Sequence, residues 1–413
     1  MATGSLHGCT CGGSRRASPA PWAASSQSYR YPEPGMSETM NQPLTSFTRI
    51  TRNARQRFLN PETLVQAEQT PYEIIHSDDL VNVRYYPPLR ENHIPVGDDD
   101  APVAVQRDPH KVPLVLVAPL AVNMSIYDLF PNRSLVRYLR ASGFELYLID
   151  WGTPGWDHNH FDIATYFADY LPELLDEVLK HSGASEVSLY GWSFGALFSY
   201  CAAALDDDKR IRNLVLVGSP CDYHANGSIG KQYQLISKSL SFLENTLGFR
   251  VHQTRRRFWR SPGWANATAF KLTSPISSLR NYLDLVRNLH SEEYVTRNAT
   301  QGAFLNDMVA YPGGVIQDTV QYLWVDNCTA HGNLPMHDAE RTLKDVTADI
   351  MLVYGDNDPL VTPECSRALV DQVSSREIEQ ALVPGGHMGI LAGSAAPTHI
   401  WPKVVDWLAK RSD

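Results

Sequence analysis

Five consecutive residues, Gly191-Trp192-Ser193-Phe194-Gly195, place a hydroxyl between two glycines. The pattern Gly-x-Ser-x-Gly is modestly specific alone, and its setting sharpens it. It follows the apolar run Val187-Ser-Leu-Tyr190 and opens the helical stretch Ala196 to Leu205, the strand–turn–helix context of a nucleophile elbow. Glycines are needed because a sharp turn brings strand and helix backbones where a Cβ would collide. Ser193 then stands at a helix N-terminus, where free N–H groups and the helix dipole favour negative charge.

A serine hydroxyl attacks well only when a base takes its proton. Among 14 histidines, His387 in Pro384-Gly-Gly-His-Met-Gly389 lies in a glycine-flanked loop directly after a candidate strand. His7 falls in the N-terminal tail, and His331 and His337 fall in a helical insertion. His158 and His160 form a His-x-His pair, but no Cys or third His nearby completes a metal set. The base needs an acid to hold its tautomer. Tyr354-Gly-Asp-Asn-Asp-Pro359 offers Asp356 and Asp358. Asp358 is preferred because it lies deeper in the post-strand loop, leaving Asp356 as the turn former. The chain order Ser, Asp, His agrees with this assignment. A tetrahedral intermediate also needs two N–H donors. The N–H of Phe194 supplies one, and the loop Ala118-Pro-Leu-Ala-Val-Asn123 the other; Pro119 has no N–H, and Leu120 or Ala121 is preferred.

These residues need a sheet to hold them. Tyr72 to His76 and Leu80 to Tyr86, separated by Ser-Asp-Asp, read as an antiparallel hairpin. Short apolar runs follow at Val112–Val117, Phe144–Ile149, Val187–Tyr190 and Asn213–Val217, alternating with helical stretches such as Ser134–Ala141 and His160–His181. Continuous apolar runs of this length suit strands buried on both faces of a parallel sheet. The alternation stops over residues 226–345, where helical patterns and aromatics replace it, and resumes at Asp349–Tyr354, Ile378–Val383 and a closing helix Ile400–Lys410.

Composition narrows the function. With 413 residues, 43% hydrophobic and 20% charged, the chain can bury a large core. A formal net charge of −9 argues against nucleic-acid binding. The cluster Arg255, Arg256, Arg257 and Arg260 runs against that sign and reads first as a solvated helix face, with an anion site as the alternative. The six cysteines lack paired spacing, which favours a reducing compartment and a cytoplasmic setting. Cys9-Thr-Cys11 in the tail is weak evidence for a metal. No run approaches the ~20 apolar residues of a membrane span. Residues 1–45 are rich in Gly, Ser, Ala and Pro and read as a disordered tail or a mis-assigned start, with Met36 and Met40 as alternative initiators.

Several longer stretches resemble the polyhydroxyalkanoate synthase family, notably its shorter type. They are Val115-Leu-Val-Ala-Pro-Leu120, Tyr127-Asp-Leu-Phe-Pro-Asn-Arg-Ser-Leu-Val-Arg-Tyr-Leu139, Leu148-Ile-Asp-Trp-Gly152, Asp358-Pro-Leu-Val-Thr-Pro363 and Gly385-Gly-His-Met-Gly-Ile390. The resemblance spans residues 70–411. It implies an α/β-hydrolase fold, a mostly parallel sheet with a helical cap inserted after the fifth or sixth strand. The core then comprises 46–225 and 346–413, and the cap 226–345. By resemblance Ser193, Asp358 and His387 fall on the family's nucleophile, acid and base, Ala121 near its second oxyanion donor, and Trp324 near an aromatic of its cap. Trp192 and Trp324 are the candidate substrate contacts. The family's nucleophile is cysteine and a histidine usually follows its acid; here the residues are Ser193 and Pro359. The expected activity is acyl transfer through an acyl-enzyme, led by hydrolysis of hydroxyacyl esters, thioesters or polyesters. Polymerisation of 3-hydroxyacyl-CoA is the alternative, and a non-catalytic granule- or partner-binding role a third. No cofactor or metal is expected. The resemblance is compatible with a homodimer or a hetero-oligomer and with association with polyester granules.

Overall fold

Short runs of leucine and β-branched residues, buried on both faces, form the centre of the molecule. The computed structural model describes residues 46–413 apart from 79, 273 and 274; the tail with Cys9, Cys11, Met36 and Met40 lies outside the described residues. Eight strands make the main sheet: β1 (Glu73–Asp78), β2 (Val81–Tyr86), β3 (Leu114–Val117), β4 (Leu146–Asp150), β5 (Val187–Trp192), β6 (Ile211–Val217), β7 (Asp349–Gly355) and β8 (Ile378–Val383). Their spatial order is β1-β2-β4-β3-β5-β6-β7-β8. The hairpin β1–β2 is antiparallel and joins β4 antiparallel, while all pairs from β4 onward are parallel. β3 and β5 are buried at every position, as central parallel strands must be.

This order sets where chemistry can occur. β3 lies between β4 and β5, so the chain leaves β3 in one direction across the sheet and β5 in the other. The crevice at the carboxyl ends of those two strands is the switch point where open α/β sheets bind ligands. The loop after β3 and the helix after β5 both open there.

Helices flank this frame. α1 (Ser46–Leu59) precedes the sheet, α2 (Leu135–Ala141) lies between β3 and β4, and α3 (Leu171–Ser182) between β4 and β5. α4 (Phe194–Leu205) follows β5 and is buried along almost its whole length. The sequence suggests one helix from His160 to His181; the chain instead makes a 3-10 turn at Asp157–His160 and a π-helical turn at Thr165–Tyr170 before α3. Between β6 and β7, and thus after the sixth strand, come the helices α5 (Gly227–Leu247), α6 (Gly263–Leu272), α7 (Pro275–Arg287), α8 (Glu292–Asn306) and α9 (Gly313–Asp318). Among the described residues this insertion contains only isolated β-bridges, Ser261 with Tyr311 and Asn333 with Thr342. α10 (Trp401–Ala409) closes the chain.

The insertion has its own small cores. Val251, Val320 and Val325 pack with Ile236, Trp259 and Trp324. A second cluster joins Leu64 to Leu285, Val295 and Ala299. The sequence grouping puts residues 46–225 in the core, whereas α1 and Leu64 lie against the cap. Arg52 pairs with Glu292 at 2.6 Å, Asn53 Nδ2 donates to the Leu289 carbonyl at 2.8 Å, and Arg57 Nε donates to Asn298 at 3.0 Å. The N-terminal helix therefore belongs structurally to the inserted helices. The Arg255–Arg260 cluster is also partly absorbed. Arg256 reaches the His160 carbonyl and, at 3.2 Å, Asp162, while Arg260 donates to the carbonyls of Gly155 at 2.7 Å and Pro154 at 2.5 Å. Two of the four arginines thus clamp the loop before α3 to the cap.

Gly195 sits in a very tight backbone contact beneath the elbow. A Cβ there would lie 2.0 Å from the Val117 carbonyl oxygen, and one at Gly191 would lie 2.5 Å from Ala196 Cα. Both obstacles are backbone and cannot rotate away. Gly195→Ala is expected to lower stability by about 3 kcal/mol or more, read as a drop in thermal midpoint. Gly389→Ala, where a Cβ meets nothing within 4 Å, should melt close to the parent.

Candidate active site

Ser193 occupies φ 56° and ψ −122°, a region that costs a non-glycine residue about 1–3 kcal/mol. The turn is held on both sides. Ser193 N donates to the Val217 carbonyl of β6 at 2.9 Å, and the Ser193 carbonyl accepts from Ala196 N at 3.0 Å. With residues 191 and 195 both glycine, helix and strand approach closely enough to force this conformation and lift the side chain off the sheet.

His387 reaches that side chain from the loop after β8. Its Nε2 lies 2.9 Å from Ser193 Oγ, and its Nδ1 lies 2.7 Å from Asp358 Oδ2. The Asp358 side chain is 0% exposed. Its other oxygen, Oδ1, accepts from Leu360 N at 2.9 Å and Val361 N at 3.0 Å. A buried carboxylate needs such donors to replace the hydration it loses. Pro359, where the resembled family usually has histidine, fits this turn: it has no N–H to offer, and the next two residues supply the amides. Asp356 does other work, accepting from Gly385 N at 3.0 Å and so bracing the histidine loop.

The structure brings Ser193, His387 and Asp358 into one relay and leaves Asp356 outside it. The Phe194 N–H opens α4, where the first turn has no intrahelical acceptor for it. The second donor loop lies close by, since the Gly195 contact is with Val117 and Ala118. Ala121 adopts φ 68°, unusual for a residue with a Cβ. Its carbonyl is fixed by Val309 N at 2.9 Å. The Leu120 carbonyl lies 3.5 Å from the Tyr311 hydroxyl, and the Tyr311 ring is 6.3 Å from that of Phe194. In a trans peptide N–H and C=O point oppositely. With the Leu120 carbonyl turned to Tyr311, the Ala121 N–H faces the other way, which favours Ala121 over Leu120 as donor.

Two candidate substrate contacts are placed differently. Trp192 is 2% exposed; its Nε1 donates to the His387 carbonyl at 3.1 Å and its ring lies 5.3 Å from the imidazole. It holds the histidine loop and presents almost no surface to a ligand, because β5 is buried on both of its faces. Trp324 is half-buried and stacks on Tyr233 at 4.8 Å, while its carbonyl accepts from His224 Nε2 at 2.8 Å. It is a packing residue of the cap's small core. Sequence reasoning missed Tyr311, Val309 and the side-chain contact of Asn123, whose Nδ2 donates to the Asp307 carbonyl at 2.9 Å. Their role depends on a cap segment folding back, and no local pattern announces it. His158 and His160 bond to local backbone, and no cluster of metal-ligating side chains occurs among the described residues. Four cysteines, Cys201, Cys221, Cys328 and Cys365, are buried and free, and burial pushes the thiols of Cys328 and Cys365 up to about 12.

Such a sheet, elbow and relay define a class, and residues 123–394 match the family model described as alpha/beta hydrolase fold. The chain belongs to that family. Within it the sequence is similar to the poly(3-hydroxyalkanoate) polymerase subunit PhaC of Allochromatium vinosum, 25% identical over 91% of this chain and 98% of the relative. It is also 25% identical to the corresponding subunit of Haloferax mediterranei, covering 84% of this chain and 66% of that longer protein. Among solved structures, a soluble variant of a Saccharomyces cerevisiae monoglyceride lipase superposes with a TM-score of 0.50 at 15% identity, over 84% of this chain and 97% of that one. That likeness concerns the fold. The polyhydroxyalkanoate synthase-like resemblance read from the sequence is thus met by relatives along nearly the whole chain. No described helix is long and apolar enough to cross a membrane.

The relay makes two predictions. Asp358→Asn should lower kcat by on the order of 10⁴, as loss of the acid does in other triads, while Asp356→Asn should cost less than about tenfold; the reverse ranking would reassign the acid. Trp192→Phe keeps one aromatic ring and removes the N–H that holds the His387 carbonyl together with part of the indole's packing. It should lower kcat several-fold with KM little changed, measured on any ester the protein turns over.

Proposed function

We propose that this protein is a hydroxyacyl-transferase that loads Ser193 from a hydroxyacyl thioester and passes the acyl group to a second hydroxyl, extending a polyester. The observation that carries the chemistry is the relay of 2.9 and 2.7 Å ending on a carboxylate with no exposed surface. The substrate class rests on the named relatives, which are poly(3-hydroxyalkanoate) polymerase subunits. Serine at the nucleophile makes hydrolysis the first expectation from sequence; the relatives favour transfer, the alternative.

The steps balance without a cofactor. His387 Nε2 takes the Ser193 proton as Oγ attacks the thioester carbonyl, and the oxyanion is held by the N–H groups of Phe194 and Ala121. The C–S bond then breaks, and the thiolate leaves with the proton from His387. A substrate hydroxyl next gives its proton to His387 and attacks the acyl-serine; as the Ser193 C–O bond breaks, His387 returns the proton to Oγ, leaving a new ester bond and the resting relay. If water takes that place, the product is a free hydroxy acid. A serine ester resists attack more than a cysteine thioester would, so the second step relies on full activation by the histidine. Which nucleophile arrives depends on the cap.

Hydrolysis is the second reading, favoured by the serine itself. A non-catalytic granule-binding role is opposed by the assembled relay. Incubation of purified protein with 3-hydroxybutyryl-CoA separates all three. Release of CoA with accumulating polymer is expected. Equimolar free hydroxy acid would establish hydrolysis instead. No CoA release together with no Ser193-dependent fluorophosphonate labelling would leave the non-catalytic reading.

A further inference from the structure

Arg133 is charged, buried and poorly matched. It ends the short hairpin that pairs Asp128–Phe130 with Arg133–Ser134, and its side chain is 5% exposed. Its guanidinium lies over the Phe130 ring at 4.5 Å. The nearest carboxylate among the described residues, Asp98, is 3.9 Å from Nε, beyond hydrogen-bond range. Nε itself is buried without a partner. Guanidinium groups are normally buried only when paired, so the position calls for an acceptor.

The surroundings are shaped to receive one. Arg133 lines a cavity of about 300 Å³, at the small end of ligand sites. Arg297 of α8 lines it too, sharing Asp98 loosely at 3.6 Å and pairing with Glu293 at 3.0 Å. Two guanidinium groups therefore face one space, and burial together with the neighbouring Arg297 pushes the Arg133 pKa down against the pull of Asp98. The amides of Gln66 and Asn132 and the Thr296 hydroxyl add neutral donors, while Glu292 and Glu293 also line the cavity. Those carboxylates disfavour a second negative charge on a ligand and accept hydrogen bonds from hydroxyls.

We infer that this cavity binds a small hydroxycarboxylate, with its carboxylate on Arg133 and Arg297 and its hydroxyl on the glutamate side. The cavity lies apart from the relay, between the 130–133 turn of the core and the first turns of α8 in the cap, so the ligand bridges the two. The far end of α8 leads to Asp307, which Asn123 holds beside the oxyanion loop. Occupancy therefore fixes α8 against the segment that runs from that loop to Arg133.

Titration calorimetry of the full chain with 3-hydroxybutyrate, butyrate and inorganic phosphate tests this directly. Saturable binding of 3-hydroxybutyrate is expected, weaker by several-fold for butyrate and weaker still for phosphate. Arg297→Gln and Thr296→Val alter the cavity lining and spare the buried Arg133. Arg297→Gln should weaken 3-hydroxybutyrate at least tenfold and Thr296→Val several-fold, with Ser193 labelling by a fluorophosphonate unchanged. Absence of binding to the parent, preference for phosphate, or undiminished affinity in Arg297→Gln would each overturn the assignment. Because binding is read by heat, the result is independent of whether the relay transfers or hydrolyses acyl groups.

Discussion

A single close approach, of the backbone at Gly195 against the carbonyl of Val117, governs what the rest of the molecule can do. Two central strands end side by side, and the helix leaving one must pass over the end of the other without any Cβ between them. That crowding turns the chain sharply at Ser193 and holds it at a positive φ. The cost, of order 1–3 kcal/mol, is borne by eight paired strands and a helix, α4, that is itself core. The same proximity sets the Phe194 N–H next to the loop carrying Ala121. The strained turn at Ser193 and the placement of the Phe194 N–H beside that loop are thus consequences of one packing constraint.

The acid and base arrive by a separate route. β7 and β8 pair in register from Ile350 with Ile378 to Gly355 with Val383, so the loops that follow them emerge together. One forms a turn on the Asp358 carboxylate and the other presents His387, braced from below by Trp192 and from the side by Asp356. Removing Asp358 from water strengthens its hold on the imidazole. It also commits the carboxylate to three donors that leave it no alternative partner. The histidine is therefore directed at Ser193 by groups drawn from three different strands.

Much of this was legible in sequence because the signals are local. Apolar runs of four to six residues, glycines on either side of a serine, and an aspartate in a post-strand turn each reflect one neighbourhood of the chain. The strand alternation and its interruption after β6 followed from the same kind of pattern. What escaped depends on distant contacts. Nothing near α1 shows that it packs on α8, since an amphipathic helix does not reveal which face it will meet. Trp192 sits beside the nucleophile in sequence, yet it ends a strand buried on both faces, and its side chain packs under the histidine loop. Tyr311 and Val309 carry no motif; they matter only because the cap folds back onto residues 120 and 121.

That folding back bears on how a serine could serve as nucleophile in the proposed transfer. An acyl-serine is a stable ester, and transfer from it needs a well-formed oxyanion hole at the second step as well as the first. Here the Ala121 peptide is held by Val309 N and the preceding carbonyl faces Tyr311, both on the inserted cap. A cap that swings clear would release the loop and weaken the hole at the moment water could enter. On the same reading, a seated cap would keep the hole formed and limit access to the acyl-enzyme. On the proposed acyl-transfer reading, the same contacts would link activation of the ester to exclusion of solvent, so that a less reactive nucleophile is tolerated while the cap is seated.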